Sequence, residues 1–166
     1  MAEKDMLAES ELFHGLDDMD LKKVRAIARE RYFLENEIVF FEGDEGESMY
    51  LILEGTVRVE RGEGGPEGSA GTVEVVAILY PRDVFGEIAI MDRETRSATV
   101  AANEALKALE IQRKDFEELL ASDKDLALKC YRNFIRVLCH RLRSTNESLA
   151  FSRALLEGLM AKEREG

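Results

Sequence analysis

Residues 84–102 read VFGEIAIMDRETRSATVAA. A glycine turn at Gly86 opens into what can become a single helical turn through Glu87, Ile88, Ala89 and Ile90. Arg96 and Ser97 then precede an apolar strand, Ala98 to Ala102. Working outward, short β-rich runs continue on both sides: Tyr32–Leu34, Ile38–Phe41, Met49–Leu53, Thr56–Glu60 and Thr72–Leu79 before it, 97–102 within it and 105–111 after it. Val57 and Val59 alternate with Arg58 and Glu60, the period-two pattern of a half-buried strand. Gly-Asp, Glu-Asn and Glu-Gly pairs separate the runs, and GEGGPEGSAG at 62–71 is expected to be a hairpin loop. About eight brief strands with frequent turns predict a mainly β fold, an antiparallel β-roll or jelly-roll-like barrel.

Helical periodicity flanks this β region. Leu16, Met19, Leu21, Val24, Ile27 and Ala28 predict one or two short helices between Leu12 and Arg31, with Asp17 and Asp18 near a start. After a short helix containing Phe116, Leu119 and Leu120, Ser122 and Asp125 are spaced to cap a long one. The long helix carries Ala127, Tyr131, Phe134, Ile135, Leu138, Leu142 and Leu149 at three- and four-residue steps. It is too long for so small a β domain to cover, so part of its stripe is expected to meet a second subunit. Residues 149–166 continue as an amphipathic helix with Leu149, Leu155, Leu156 and Leu159 on one side. The chain thus divides into 1–122, N-terminal helices, β-roll and short helix, and 123–166, a helical lid and dimerisation segment.

The 166 residues carry 23 Lys and Arg against 34 Asp and Glu, a net charge of −11. Nine basic and six acidic residues fall after Ser122, which leaves −14 on residues 1–122. So negative a surface repels phosphate, and argues against nucleic acid and anionic membranes as general partners. Two cysteines and two histidines are too few for a disulfide framework or a typical structural zinc site. Cys130 and Cys139 lie nine residues apart, half a turn out of phase on one helix, and are expected to be buried small hydrophobes. His14 and His140 are read as surface or interface residues, and the basic residues of the last helix as a solvated face. The first residues are polar and acidic, and no apolar run approaches the roughly 20 residues of a membrane span, so a cytoplasmic protein is expected.

The chemistry concentrates in the stretch at 84–102. Free N–H groups at a helical start beside a glycine suit an anion. Arg96, nine residues after Glu87, offers a planar bidentate grip on phosphate, and Ser97 can add a hydroxyl. Glu87 at the same turn would repel phosphate unless it served another group, such as a sugar hydroxyl. A cyclic phosphate fused to ribose satisfies all of them together. No His/Asp constellation or Ser-His-Asp set is present, so no catalytic residues are assigned and an enzyme is not expected.

FGEIAI at 85–90 with RSATVAA at 96–102 resembles the phosphate-binding cassette of cyclic-nucleotide-binding domains, found in protein kinase A regulatory subunits, cyclic-nucleotide-gated channels and the bacterial catabolite activator protein. Gly43, Gly46 and Gly55 of FFEGDEGESMYLILEGTVRV also fall where that family has turn glycines, and the likeness runs from about Leu12 to Leu149. The resemblance implies that Glu87 accepts the ribose 2′-hydroxyl. It implies that Arg96 pairs with the cyclic phosphate, helped by Ser97 and by backbone N–H groups around Gly86, Ile88 and Ala89. Val59 and Val76 match pocket-lining strand positions. Thr145 and Asn146 match the helix positions that meet adenine in the bacterial relative, with Asn146 departing from its serine. Ser97 follows the bacterial cassette, which favours cyclic AMP over cyclic GMP; no other cofactor or metal is implied.

These features predict a homodimeric cyclic-nucleotide receptor that signals through its C-terminal helix to an unidentified effector protein. Two other readings remain open: a structural or interaction module with a vestigial pocket, and a fragment of a longer transcription regulator. Too few residues follow Glu147 for the helix-turn-helix domain of the transcription-factor relatives, so direct DNA binding through that motif is not expected.

Overall fold

The computed structural model describes residues 3–62 and 73–165. Its elements run α1 (Glu3–Glu9), α2 (Asp18–Ile27), β1 (Ala28–Phe33), β2 (Ile38–Phe40), β3 (Ser48–Glu54), β4 (Val57–Gly62), β5 (Val73–Leu79), β6 (Val84–Phe85), α3 (Glu87–Asp92), β7 (Thr99–Ala102), β8 (Leu106–Gln112), α4 (Arg113–Ser122) and α5 (Lys124–Glu165). The strands form two four-stranded antiparallel sheets, ordered β1-β8-β3-β6 and β2-β7-β4-β5. The fold is a β-roll with flanking helices, and no ladder closes the two sheets into a barrel among the described residues.

Strand alternation explains how one sheet serves two cores. On β3, Met49, Leu51 and Leu53 point to one side, where they join Leu109 and Ile111 of β8 and the helix residues Leu21, Val24, Phe116, Leu126 and Phe134. Tyr50 and Ile52 point to the other, against Val57, Val100 and Ala102 of the second sheet. The centre of the first sheet, β3 and β8, is therefore covered on both faces, which is why β3 is buried along almost its whole length. That two-sided burial holds Ser48 and Tyr50 on the inter-sheet face, where the site lies.

Several expectations are corrected. Helix α2 ends at Ile27, and Ala28–Arg31, expected to be helical, are the first residues of β1. Their hydrogen bonds to β8 outweigh the helical spacing of Ile27 and Ala28. Asp17 is the N-cap of α2, accepting from the backbone N–H groups of Met19 and Asp20 at 3.0 and 2.9 Å. The cap of α5 is Asp123, whose carboxylate accepts from Leu126 N, while Ser122 turns its hydroxyl back to the carbonyl of Leu119. The long stripe of α5 is two stripes: Leu126, Ala127, Cys130, Phe134 and Val137 are buried, whereas Leu128, Tyr131, Ile135, Leu138, Leu142 and Leu149 are exposed. Cys139, expected to be buried, is exposed; only Cys130 is a core residue. The Gly-rich loop at 63–71, with Thr72, and the side chains of Leu156 and Leu159 lie outside the described residues.

Candidate functional site

Gly86 begins the site because no other residue fits it cheaply. Its φ of 74° is left-handed, and a Cβ there would stand 2.6 Å from Arg96 Nη1 and 3.1 Å from the Ser48 carbonyl oxygen. It is the N-cap of the one-and-a-half-turn helix α3, which puts Glu87 in the first turn. Gly46 plays a matching part from the other side: a Cβ on it would overlap that of Ala89 at 2.1 Å, so the 43–46 turn lies directly on α3. Arg96 is delivered by that same turn, through backbone hydrogen bonds from Gly43 N to Arg96 O and from Arg96 N to Asp44 O.

Glu87 and Arg96 are both buried, 1% and 5% exposed. Arg96 lies over the ring of Phe40, its guanidinium carbon 4.0 Å from the centroid. It donates from Nη1 to Gly86 O at 2.9 Å and from Nη2 to Ser48 Oγ at 3.2 Å. Burial pulls its pKa down, and the fields of Tyr50, Asp44 and Glu87 oppose that. Burial also raises the Glu87 carboxyl, with Arg141 the main opposing charge. Arg141 Nη1 donates to Glu87 Oε1 at 2.6 Å, and Nη2 to the carbonyl of Val84. Two buried side-chain atoms remain without a partner among the described residues: Glu87 Oε2, an acceptor, and Arg96 Nε, a donor. Buried polar atoms left this way are costly and call for a ligand or other compensation.

The structure brings Gly86, Glu87, Ala89 and Arg96 together, with Ile88 half-buried beside them. Ser97 is exposed, and its carbonyl accepts from Arg61 Nε at 3.3 Å. Val59 is half-buried against the inter-sheet core, while Val76 on β5 is 49% exposed. Thr145 and Asn146 are exposed on α5, and the Thr145 hydroxyl donates back to the carbonyl of Arg141 at 2.9 Å. No hydrogen bond joins either to the cassette among the described residues. Arg141, expected on a solvated face, instead reaches the cassette and bonds Glu87 and the Val84 carbonyl. It stands one helical turn before Thr145, on the face that the sequence already marks for the base. No group of three metal-ligating side chains, and no helix long and apolar enough to cross a membrane, occurs among the described residues.

The model of the cyclic nucleotide-binding domain family matches residues 30–123, more than half of the chain. The chain is 31% identical over 140 residues to the cyclic AMP receptor protein of Thermus thermophilus, covering 84% of this chain and 61% of that one. It spans the same 61% of the cAMP-activated global transcriptional regulator of Mycobacterium tuberculosis. Among solved structures, the N-terminal domain of a transcriptional regulator from Streptomyces coelicolor superposes with a TM-score of 0.71 at 29% identity, over 87% of this chain and 95% of that one. The regulatory domain of Toxoplasma gondii PKA, crystallised with cAMP, gives 0.62 at 29% identity over 70% and 42%.

Proposed function

Because the chain belongs to the cyclic nucleotide-binding domain family, we propose that it is a cyclic-nucleotide receptor rather than an enzyme, taking cyclic AMP in preference to cyclic GMP. The observation that carries this reading is the pair of orphaned atoms across Gly86. Glu87 Oε2 lacks a donor and Arg96 Nε lacks an acceptor, and both atoms are buried. A ribose hydroxyl supplies the first and a cyclic phosphate the second. Ser97, exposed next to Arg96, adds a hydroxyl, and Val59 and Val76 offer apolar surface to the rest of the ligand. Relatives whose names or structures include cyclic AMP support the choice of nucleotide.

Signal output follows from Arg141. It stands on α5 and holds the carboxylate that the ribose is to use, so ligand and helix share one partner. A ligand shifts the helix only by as much as it favours one helix position over the other. Residues 1–122 then act as the ligand-binding unit, and 123–166 as the lid and pairing segment read by an effector protein, with Thr145 and Asn146 free to approach the base once the helix moves. The exposed face Leu128, Tyr131, Ile135, Leu138, Leu142 and Leu149 supports pairing of α5 with a second copy.

Calorimetric titration of the protein with cyclic AMP and cyclic GMP tests the proposal. The expected result is saturable 1:1 binding, stronger for cyclic AMP, with Arg96→Ala weaker by about 3 kcal/mol because the phosphate is left uncompensated. No binding of either nucleotide, or equal affinity for the variant, rejects it. Thermal unfolding gives an independent readout, since a receptor gains stability with ligand concentration by linkage.

A further inference from the structure

Behind Arg96 runs a line of buried polar groups that cyclic-nucleotide binding as described does not use. We propose that Ser48, Tyr50 and Glu110 are positioning residues for Arg96, a hydrogen-bonded relay anchored on the Glu110 carboxylate that fixes the guanidinium. The proposal rests on the assignment of Arg96 as the phosphate-holding group.

The chain of bonds is Arg96 Nη2 to Ser48 Oγ at 3.2 Å, Ser48 Oγ to Tyr50 Oη at 3.1 Å, and Tyr50 Oη to Glu110 Oε1 at 3.0 Å. Its direction is determined by chemistry. A guanidinium only donates, so Ser48 accepts from it and has its single proton left for Tyr50; Tyr50 in turn passes its own to the carboxylate, which only accepts when ionised. Arg31 closes the far end, donating to Glu110 Oε2 at 3.2 Å from a half-exposed position. All four inner members are buried: Ser48 6%, Tyr50 6%, Arg96 5% and Glu110 7% exposed.

Strand geometry builds the relay. Ser48 and Tyr50 alternate onto the inter-sheet face of β3, and Tyr50 sits directly across from Glu110 on β8. The Tyr50 ring is stacked on Phe85 at 5.1 Å and 14°, and Phe40 and Phe33 lie against it at 6.2 Å. The hydroxyl is therefore aimed by packing rather than by its own bonds. Among the described residues no carboxylate accepts a hydrogen bond from Arg96: its acceptors are Gly86 O and Ser48 Oγ, while Asp44 and Glu87 act on it only through their fields, and Glu87 is engaged by Arg141. A buried guanidinium held by two neutral acceptors takes its orientation from whatever fixes them, and the Tyr50 hydroxyl, itself bound to Glu110, fixes Ser48.

Tyr50→Phe tests this cleanly, since it keeps the stacked ring and deletes only the hydroxyl. Cyclic AMP titration is expected to weaken about tenfold in Tyr50→Phe and in Ser48→Ala, the loss of one bond in a chain ending on a charged group. Ser48→Thr, which restores a hydroxyl, is expected to bind like the wild type. In an Arg96→Lys background, Tyr50→Phe is expected to cost nothing further, whereas a merely structural role would cost the same in both. Wild-type binding by Tyr50→Phe, or an undiminished cost in the Arg96→Lys background, overturns the relay and leaves the receptor reading intact. A ligand-free measurement separates the two: the Arg96 Nε–H resonance in the unliganded protein is expected to exchange slowly in the wild type and rapidly in Tyr50→Phe. Equal exchange overturns the relay whether or not either nucleotide binds.

Discussion

Arg141 on α5 donates to Glu87 on α3 at 2.6 Å, which ties the long helix to the helical turn that opens the site. The partners are unequal. Glu87 is 1% exposed and keeps one oxygen unpartnered, whereas the Arg141 side chain is 33% exposed. The bond is therefore a handle on α5 that water reaches from one side only.

Removing the handle should be felt at both ends. Arg141→Ala leaves a buried carboxylate unpaired, and with the loss discounted for the exposure of Arg141 it should destabilise the fold by about 2 kcal/mol near neutral pH. Urea denaturation gives that number. Hydrogen exchange should show α5 opening more readily beyond Val137, and unchanged protection there would mean the pair does not hold the helix.

The pH dependence has a defined sign. Burial raises the Glu87 carboxyl above its ordinary value. Between the two values the folded protein retains a proton that the unfolded chain has released. Stability should therefore fall as pH climbs from about 4.3 through the raised value, and level off above it. Asp17 and Asp123, with lowered values, act in the opposite sense at more acid pH. Glu87→Gln should flatten the upper window and leave the acid limb alone, as read from denaturation midpoints across pH.

Gly86→Ala should be costly despite its size. The left-handed backbone costs about 1–2 kcal/mol for an alanine, and its methyl group would press on Arg96 Nη1. Loss of stability together with weaker nucleotide binding is expected by denaturation and calorimetry. A variant as stable as the wild type would show that the turn relaxes.

The two thiols should separate by rate. Cys130 is fully buried, and burial pushes its pKa up to about 12, while Cys139 is exposed. Only a thiolate alkylates readily. Mass spectrometry after brief iodoacetamide treatment should place the label on Cys139 first, with Cys130 reacting after denaturation.

Pairing through α5 has its own test. Ile135→Asp puts a charge in the middle of the exposed apolar face, and should shift the sedimentation of the protein from dimer to monomer with little loss of helix content. A wild type that sediments as a monomer would remove the basis for it.

Features carried by neighbours along the chain are legible before any contact is formed. The strand runs, the turn at Gly86 and the Glu87–Arg96 cassette are local patterns, and β2 to β5, β7 and β8 form near where their residues predicted, whereas helix α1 and the two-residue strand β6 were not anticipated. Where local and long-range preferences competed, as at Ala28–Arg31, pairing with β8 decided the outcome. Only the tertiary structure brought Arg141 to Glu87, 54 residues away, and Tyr50 to Glu110, 60 residues away. It also divided the apolar residues of α5 between a covered and an open face. Period and turn chemistry are written in adjacent residues, but which charges meet in a dry interior depends on how sheets and helices stack. Arg141 therefore looks in sequence like any other surface arginine, and its role becomes visible only when α5 is laid against the roll.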